Sequence, residues 1–368
     1  MLHKTLCYAL FSAAICMFMP LFAQTTSDKQ EIVFGQTGAF TGHFKMYARA
    51  IVRGIEACFR HTNDTGGIEG KTLRLVSLDD GGDYEKFKNN IQTLQTQFNT
   101  SMFIGLMDTS NIRSLLPRVK QGKLTVLFPW AEHKDFQNPA LTHMINGPGL
   151  LSPQLKALAQ LDKVLSKKFA IFHGDDNFST RAAQTLLEHL KANDQTPVAV
   201  ESFNLFTMDI ETPAAALMKK YPKVVLCICT SAPAVALIKY FFTHGAFGTQ
   251  FVGIDSTFPV KDILKYTGVT FSYSSAVPDP ETAEIALAQE YRESMKKYFP
   301  SEPLSTLSFM YYLSASIVVE AIKQCAQDIT PQAIVEKISA MKKTELGGYP
   351  LDFDPSTRYV FGKKTWII

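Results

Sequence analysis

Short apolar runs alternate with longer amphipathic segments along most of the chain. The short runs are rich in branched residues and predict eight β-strands, at residues 32–35, 73–78, 102–105, 125–128, 169–172, 197–203, 224–229 and 251–254. Helical spacing of apolar residues predicts helices at residues 47–63, 84–98, 110–121, 153–165, 179–191, 212–219, 233–244, 259–267, 281–298, 305–324 and 331–341. This alternation is typical of parallel sheets covered by helices on both faces.

The number of predicted strands suits two sheets better than one, because a single sheet would have to hold all eight in a row. Stretches rich in Gly and Pro mark three candidate crossovers, at residues 146–149, 275–280 and 346–348. We therefore predict an α/β protein of two doubly wound parallel-sheet lobes joined by three crossovers. Lobe 1 would hold residues 30–146 plus 276–345, and lobe 2 residues 147–275 plus 346–368. The carboxyl ends of both sets of strands would face one cleft, where such sheets bind ligands.

The amino-terminal segment, residues 1–23, has the pattern of a secretory signal peptide. Lys4 precedes an apolar run over residues 6–19 that is too short to span a bilayer, and the small residue Ala23 suits cleavage. A second apolar stretch, at residues 307–319, ends at a Glu and predicts a buried helix. We expect an exported protein, most simply in a bacterial periplasm.

Composition and motif content exclude several classes of function. With 46% hydrophobic residues, 27 Phe and 13 Tyr, the chain is globular, and its net charge of +3 comes with scattered Lys pairs and no nucleic-acid-binding stripe. The 8 His show no metal-ligand spacing, and no nucleophile elbow, Walker A loop or dinucleotide-binding turn occurs. The carboxylates in Asp79-Asp80 and in Asp175-Asp176 are sequence neighbours, which point to opposite faces of a strand. We expect no enzyme, cofactor or metal, and a monomer.

Four cysteines follow the predicted signal peptide: Cys58, Cys227, Cys229 and Cys325. Cys227 and Cys229 lie two apart in the apolar run VVLCIC, so they point to the same face of a strand. Without further metal ligands nearby they are best interpreted as buried core thiols. A disulfide stays open, because its pairing cannot be deduced from sequence.

Several motifs stand in a characteristic order: GQTGAFTG (35–42), RGIEACF (53–59), NDTGGIEGKTLRLVSLDDGGD (63–83), NPALT (138–142), FAIFHGDDNFS (169–179), FVGIDS (251–256) and LGGYPLDFDP (346–355). Together they resemble the type I periplasmic solute-binding proteins, in the leucine/isoleucine/valine-binding branch that serves ABC importers. The resemblance implies a binding protein that closes two lobes around a small polar ligand, an amino acid or a related compound, and presents it to a permease in the inner membrane. A sensory module that signals to a membrane receptor or kinase would use the same fold, and both interpretations stay open.

The resemblance also implies ligand contacts in lobe 1. Thr109 and Ser110 stand where the family places a ligand hydroxyl, although both could simply cap the following helix. Trp130, Ala131 and Glu132 fall in the second carboxylate-binding turn, where the family has small residues and a Thr. Glu132 and the neighbouring acid Asp108 would repel a ligand carboxylate if they faced the cleft, which argues against an aliphatic amino acid.

In lobe 2, the resemblance implies an aromatic wall at Phe178 and contacts from Thr230 and Ser231 at a strand end. Asp255 stands where the family carries the acid that pairs with a ligand ammonium, and as an alternative it would cap the next helix. Tyr47, in the first long helix of lobe 1, matches an aromatic lid over the ligand side chain, or else it is a core tyrosine.

Overall fold

The computed structural model describes residues 30–148, 151–161, 168–264, 268–325 and 328–368. The predicted signal peptide, residues 1–23, lies outside the described residues, as do parts of the helices predicted at 153–165 and 259–267. No helix in the described ranges is long and apolar enough to span a membrane.

The first half of the chain forms a five-stranded parallel sheet in the order β2-β1-β3-β4-β5. Its strands are β1 (Glu31–Gly38), β2 (Thr72–Asp79), β3 (Met102–Ile104), β4 (Thr125–Leu127) and β5 (Met144–Ile145). The connecting helices are α1 (Lys45–Asp64), α2 (Tyr84–Gln97) and α3 (Thr109–Lys120), with a short 3-10 helix at Lys134–Gln137. The carboxyl ends of all five strands therefore lie at one edge of this sheet.

A second sheet has six strands in the order β14-β10-β9-β8-β6-β7. Its strands are β6 (Phe169–Gly174), β7 (Val200–Phe203), β8 (Val224–Ile228), β9 (Gln250–Gly253), β10 (Phe271–Ser275) and β14 (Trp366–Ile367). All neighbours are parallel except β14, which runs antiparallel to β10. The helices of this part are α4 (Leu151–Ala159), α5 (Asn177–Ala192), α6 (Glu211–Met218), α7 (Ser231–Thr243) and α8 (Pro259–Ile263), with a 3-10 turn at Asp255–Thr257.

After β10 the chain forms three more helices, α9 (Ala286–Tyr298), α10 (Thr306–Lys323) and α11 (Pro331–Ser339). α10 packs along α1 and is buried at nearly every position, which confirms the buried helix predicted at residues 307–319. A small antiparallel sheet follows, made of β11 (Thr344–Leu346), β12 (Tyr349–Asp354) and β13 (Tyr359–Phe361).

This three-stranded sheet holds the chain where it leaves each of the two larger sheets. Asn146 N, just after β5, donates to Arg358 O at 2.8 Å, and Tyr349 Oη donates to Ala276 O, just after β10, at 2.8 Å. These contacts lie at the first two predicted crossovers. At the third predicted position, Gly347 and Gly348 instead form the two-residue turn of the β11–β12 hairpin with φ of 53° and 85°, which glycine adopts without strain. The chain rejoins the six-stranded sheet later, at β14.

The eight predicted strands are all present, and the predicted fold of doubly wound parallel sheets is confirmed. The sequence missed six strands: β5, which has two residues, β10, whose sequence FSYSS interrupts the apolar pattern with serines, and the four short strands β11 to β14 near the carboxyl terminus. The helix predicted from residue 281 begins at Ala286. The four cysteines are free and buried, so the interpretation of Cys227 and Cys229 as core thiols is confirmed.

Candidate functional site

A cavity of about 410 Å³ lies between the carboxyl ends of the two larger sheets. One side is lined by residues that follow β1 to β4, and the other by residues that follow β6 to β9, together with Asn146, Gly147 and Pro148 at the first crossover. Ligand sites of this size and position are common in open α/β folds. The cavity is therefore the candidate functional site.

Seven of the ten residues predicted for the site line this cavity: Thr109, Trp130, Ala131, Glu132, Phe178, Thr230 and Asp255. The other three are placed elsewhere. Ser110 is exposed at the start of α3, whereas Tyr47 and Ser231 are buried against each other beside the cavity.

Tyr47 connects the two sheets directly. Its hydroxyl donates to Ser256 O at 2.7 Å, accepts from Ser231 N at 3.0 Å and lies 3.0 Å from Ser231 Oγ. The Tyr47 ring is stacked on Trp130 with 4.8 Å between centroids, and it meets Phe258 edge-on at 5.7 Å. Tyr47 thus joins α1 to the strand ends of β8 and β9, and its burial raises the pKa of its hydroxyl to about 12.

The wall made by Trp130 is built by the turn after β4. Phe128 has a positive φ of 52°, and its carbonyl accepts from Tyr311 Oη at 3.0 Å, which fixes this unfavourable conformation. Trp130 N then donates to Leu106 O at 2.8 Å, so the turn after β4 is held beside the turn after β3. Other apolar walls come from Phe44, Phe136, Phe178, Phe203 and Leu205.

Glu132 and Asp255 are half-buried acids that face this cavity. Glu132 Oε2 accepts from Leu151 N at 2.8 Å; burial raises the pKa of this carboxyl, while the hydrogen bond and the charge of Arg181 lower it. Asp255 exchanges two hydrogen bonds with Gln154, at 2.9 and 3.0 Å. Burial raises the pKa of Asp255 to about 7, against the lowering effect of Gln154 and with a further rise from the charge of Glu132.

Sequence reasoning missed several lining residues. Asp80 is buried and accepts from Thr37 Oγ1 at 2.9 Å and from Gly82 N at 2.8 Å, whereas Asp79 caps the loop at residues 40–41 instead. The alternation of side chains along a strand would have distinguished these two. Asn146 belongs to the Gly- and Pro-rich stretch of the first predicted crossover, and such a stretch indicates a turn but no ligand contact. Leu205 carries no signal in the sequence.

Asn146 is 4% exposed and lines the cavity. Its amide nitrogen donates to Phe136 O at 3.0 Å and to Thr357 O at 2.5 Å. Its Oδ1 is buried without a hydrogen-bond partner in the part of the chain that the structure describes. A buried acceptor of this kind gains from a ligand donor.

Within the described ranges, no group of three or more His, Cys, Asp or Glu side chains is arranged to hold a metal ion. The arrangement instead suits reversible binding: an enclosed space, aromatic walls, and polar groups that come from both larger sheets.

Solved structures of similar fold cover nearly the whole chain. A possible leucine/isoleucine/valine-binding protein from Rhodopirellula baltica SH 1 has a TM-score of 0.81 and 21% identity, over 94% of this chain and 95% of that one. The branched-chain amino acid transporter substrate-binding protein of Streptococcus pneumoniae, in complex with isoleucine, has a TM-score of 0.78 and 18% identity, over 92% and 96%. A solute-binding protein from R. palustris, in complex with 4-hydroxybenzoate, has a TM-score of 0.76 and 15% identity, over 92% of both chains.

A search of curated protein sequences returns no significant match. The sequence does match the family described as periplasmic binding protein over residues 31–361, which is most of the chain. With this match, the two doubly wound sheets and the cavity between them, the chain belongs to the type I periplasmic binding proteins.

Proposed function

We propose that this protein is an exported solute-binding protein of an ABC importer, which encloses a small polar ligand, an amino acid or a related compound, between two lobes. The observation that carries the proposal is the cavity of about 410 Å³, which both larger sheets line with their strand ends. Its function is binding rather than catalysis, and the protein acts as a monomer, because one chain supplies both sides of the cavity.

The shape of the site supports a ligand of amino-acid size. Trp130 and Phe178 offer flat apolar walls, and Thr109, Thr230 and Asp255 offer polar contacts from opposite sides. Ligand pockets commonly combine such walls with a few convergent polar groups. The seven predicted residues that line the cavity remain our candidates for ligand contact, and Tyr47 and Ser231 act in closure rather than as walls.

Closure of the lobes would couple binding to delivery. A ligand that touches both sides stabilises the closed state, and the permease then recognises that state. Contacts between Tyr47 and the ends of β8 and β9 support a closed arrangement here. The lobe boundaries predicted from the sequence would place the hinge at the chain segments held by the three-stranded sheet.

Export is the remaining part of the proposal, and it depends on cleavage near Ala23. Amino-terminal sequencing of the protein recovered from a periplasmic fraction tests it. Neighbouring genes for a permease and an ATPase would support delivery, whereas a neighbouring histidine kinase would favour the sensory alternative.

Binding itself is tested by a thermal-shift screen over amino acids, amides, nucleobases and short peptides. A true ligand at 100 times its dissociation constant adds about 2.7 kcal/mol of stability, which raises the melting temperature by several degrees. If no small molecule stabilises the protein at millimolar concentration, the proposed function is wrong.

A further inference from the structure

Helix amino termini surround the cavity, and at each of them a protein oxygen already accepts from one or two of the N–H groups. Such termini are the usual place to bind a carboxylate, because their N–H groups are free and their dipole is positive. At the start of α3, Asp108 Oδ1 accepts from Asn111 N at 2.8 Å. At the start of α4, Glu132 Oε2 accepts from Leu151 N at 2.8 Å.

The six-stranded side shows the same arrangement. Asp176 Oδ1 accepts from Phe178 N at 2.9 Å and from Ser179 N at 3.0 Å, at the start of α5. At the start of α7, the Tyr47 hydroxyl accepts from Ser231 N. Three of these four helices are therefore capped by a carboxylate at the cavity, so a ligand carboxylate would meet negative charge where it needs donors.

The charge of the lining agrees with this. Five carboxylates line the cavity: Asp80, Asp108, Glu132, Asp176 and Asp255. The described lining residues include no Lys or Arg. The positive charge of Arg181 lowers the pKa of Glu132, but Arg181 does not line the cavity. A cationic group entering the cavity would relieve the repulsion among these acids, whereas an anionic group would add to it.

Two acceptor oxygens of lining residues have a weak hydrogen bond or none within the described ranges. Glu132 Oε1 has a contact of 3.5 Å with Gln137 Nε2, which is at the limit of a hydrogen bond, and Asn146 Oδ1 is buried and unpartnered among the described residues. A ligand that carries an N–H donor would satisfy Glu132 Oε1 from within the cavity. The rings of Trp130 and Phe178 can hold a cation over their faces or pack against an apolar body.

We propose that the cavity binds a small organic cation: a protonated amine with an apolar body and no free carboxylate, its ammonium group near Glu132 and Asp255. This inference rests on the proposed function and narrows its ligand class. It departs from the leucine-like ligands that the resemblance implies, because a ligand carboxylate would lie beside the carboxylates that cap α3, α4 and α5.

Three probes with the same isobutyl side chain test the proposal: 3-methylbutylamine, leucine and 4-methylpentanoate. A second series, 2-phenylethylamine, phenylalanine and 3-phenylpropanoate, repeats the comparison with an aromatic body. Titration calorimetry at pH 8 is expected to show each amine binding at least tenfold more tightly than its amino acid, with no binding of the carboxylates at millimolar concentration. An amino acid or carboxylate that binds more tightly than the matching amine overturns the proposal.

A charge-neutral variant makes the test specific to the site. Glu132→Gln keeps an oxygen that can accept from Leu151 N, so the start of α4 should stay intact, and its melting curve checks this. The variant should bind the amine at least tenfold more weakly and leucine more tightly. Glu293→Gln, an exposed acid on α9, is the matched control and should leave both affinities unchanged. Equal amine affinity in Glu132→Gln and the unmodified protein overturns the proposal.

The two levels of inference fail in different ways. If the tightest ligand of the broad thermal-shift screen is neutral, zwitterionic or anionic, the solute-binding function stands and the cationic ligand class is wrong. If that ligand is an amine or another organic cation without a carboxylate, the proposal is supported even where the two probe series bind weakly. If nothing in the screen binds, the solute-binding function itself fails, and the ligand class with it.

Discussion

The Tyr47 hydroxyl lies 3.0 Å from the backbone nitrogen of Ser231, a residue 184 positions away along the chain. This contact joins the first helix of the five-stranded sheet to the first turn of α7 in the six-stranded sheet. Because the same hydroxyl also donates to Ser256 O, one side chain holds two strand ends of the opposite sheet.

We expect Tyr47→Phe to weaken closure, since it removes both hydrogen bonds but keeps the ring on Trp130. Each of the two bonds contributes about 1 kcal/mol net, so ligand affinity should fall about thirtyfold. Small-angle X-ray scattering of the ligand-free variant should give a larger radius of gyration. Tyr84→Phe, at an exposed tyrosine that begins α2, is the control and should change neither quantity. Unchanged affinity and dimensions in Tyr47→Phe would mean that the contact contributes nothing to closure.

The raised pKa of Asp255 predicts a stability that depends on pH. This carboxyl has a pKa near 4 in the unfolded chain and about 7 in the folded protein, so between these values the folded state binds more protons. Stability from this group is therefore fully present below about pH 4 and is lost as the pH rises towards 7, by about 2–4 kcal/mol. Glu132, Tyr47 and Tyr311 are the titratable groups whose pKa values are coupled to that of Asp255.

Urea unfolding at pH 5 and pH 8 measures this effect. Asp255→Asn should lose less stability between the two pH values than the unmodified protein does, because its amide does not ionise. Asp328→Asn, at an exposed carboxyl, should keep the original pH dependence. An identical loss in Asp255→Asn and the unmodified protein would show that Asp255 does not titrate in this range.

Trp130 should report ligand binding by its fluorescence. The chain has 2 tryptophans, and Trp130 lines the cavity while Trp366 lies in β14, 5.9 Å from the ring of Tyr349. A ligand that enters the cavity changes the polarity around Trp130 alone. Trp366→Phe should therefore keep the ligand-induced change in emission, and Trp130→Phe should lose it. A change that survives in Trp130→Phe would place the ligand elsewhere.

Gly147 occupies a position where a side chain does not fit. A Cβ at this residue would overlap the carbonyl group of Pro129, which belongs to the turn that carries Trp130. Gly147→Ala should destabilise the fold by about 1–3 kcal/mol through this clash, with a lower melting temperature and weaker binding. Gly248→Ala, where no atom lies within 4 Å of the added Cβ, should leave both unchanged. Equal melting temperatures for the two variants would show that the crossover moves freely to make room.

Apolar periodicity was sufficient to predict the two larger sheets, because their central strands are buried on both faces and carry continuous apolar runs. It failed at β10, where Ser274 and Ser275 are fully buried but polar. Ser274 Oγ donates to Gln154 Oε1 at 3.0 Å, a partner 120 positions away. The hydrogen bond that makes the burial of Ser274 favourable is therefore not visible in the neighbouring sequence.

The site was predictable where it depends on strand ends and not where it depends on the relative placement of the sheets. Trp130, Glu132 and Asp255 follow strands, where the carboxyl-end rule places ligands, and the resemblance to the family singled them out among the residues there. The contact between Tyr47 and Ser231 depends on how the two larger sheets lie relative to each other. No local sequence pattern predicts that arrangement.

The position of β14 also bears on the order in which the chain folds. The five-stranded sheet uses a single continuous stretch, Glu31–Ile145, and its strands can pair as soon as that stretch is available. The six-stranded sheet instead waits for Trp366, which pairs with Ser275 about ninety positions earlier. Contacts at such separation are slow to form, because the entropy of closing a long loop must be overcome first. The second sheet should therefore reach its full width in the last and slowest step of folding.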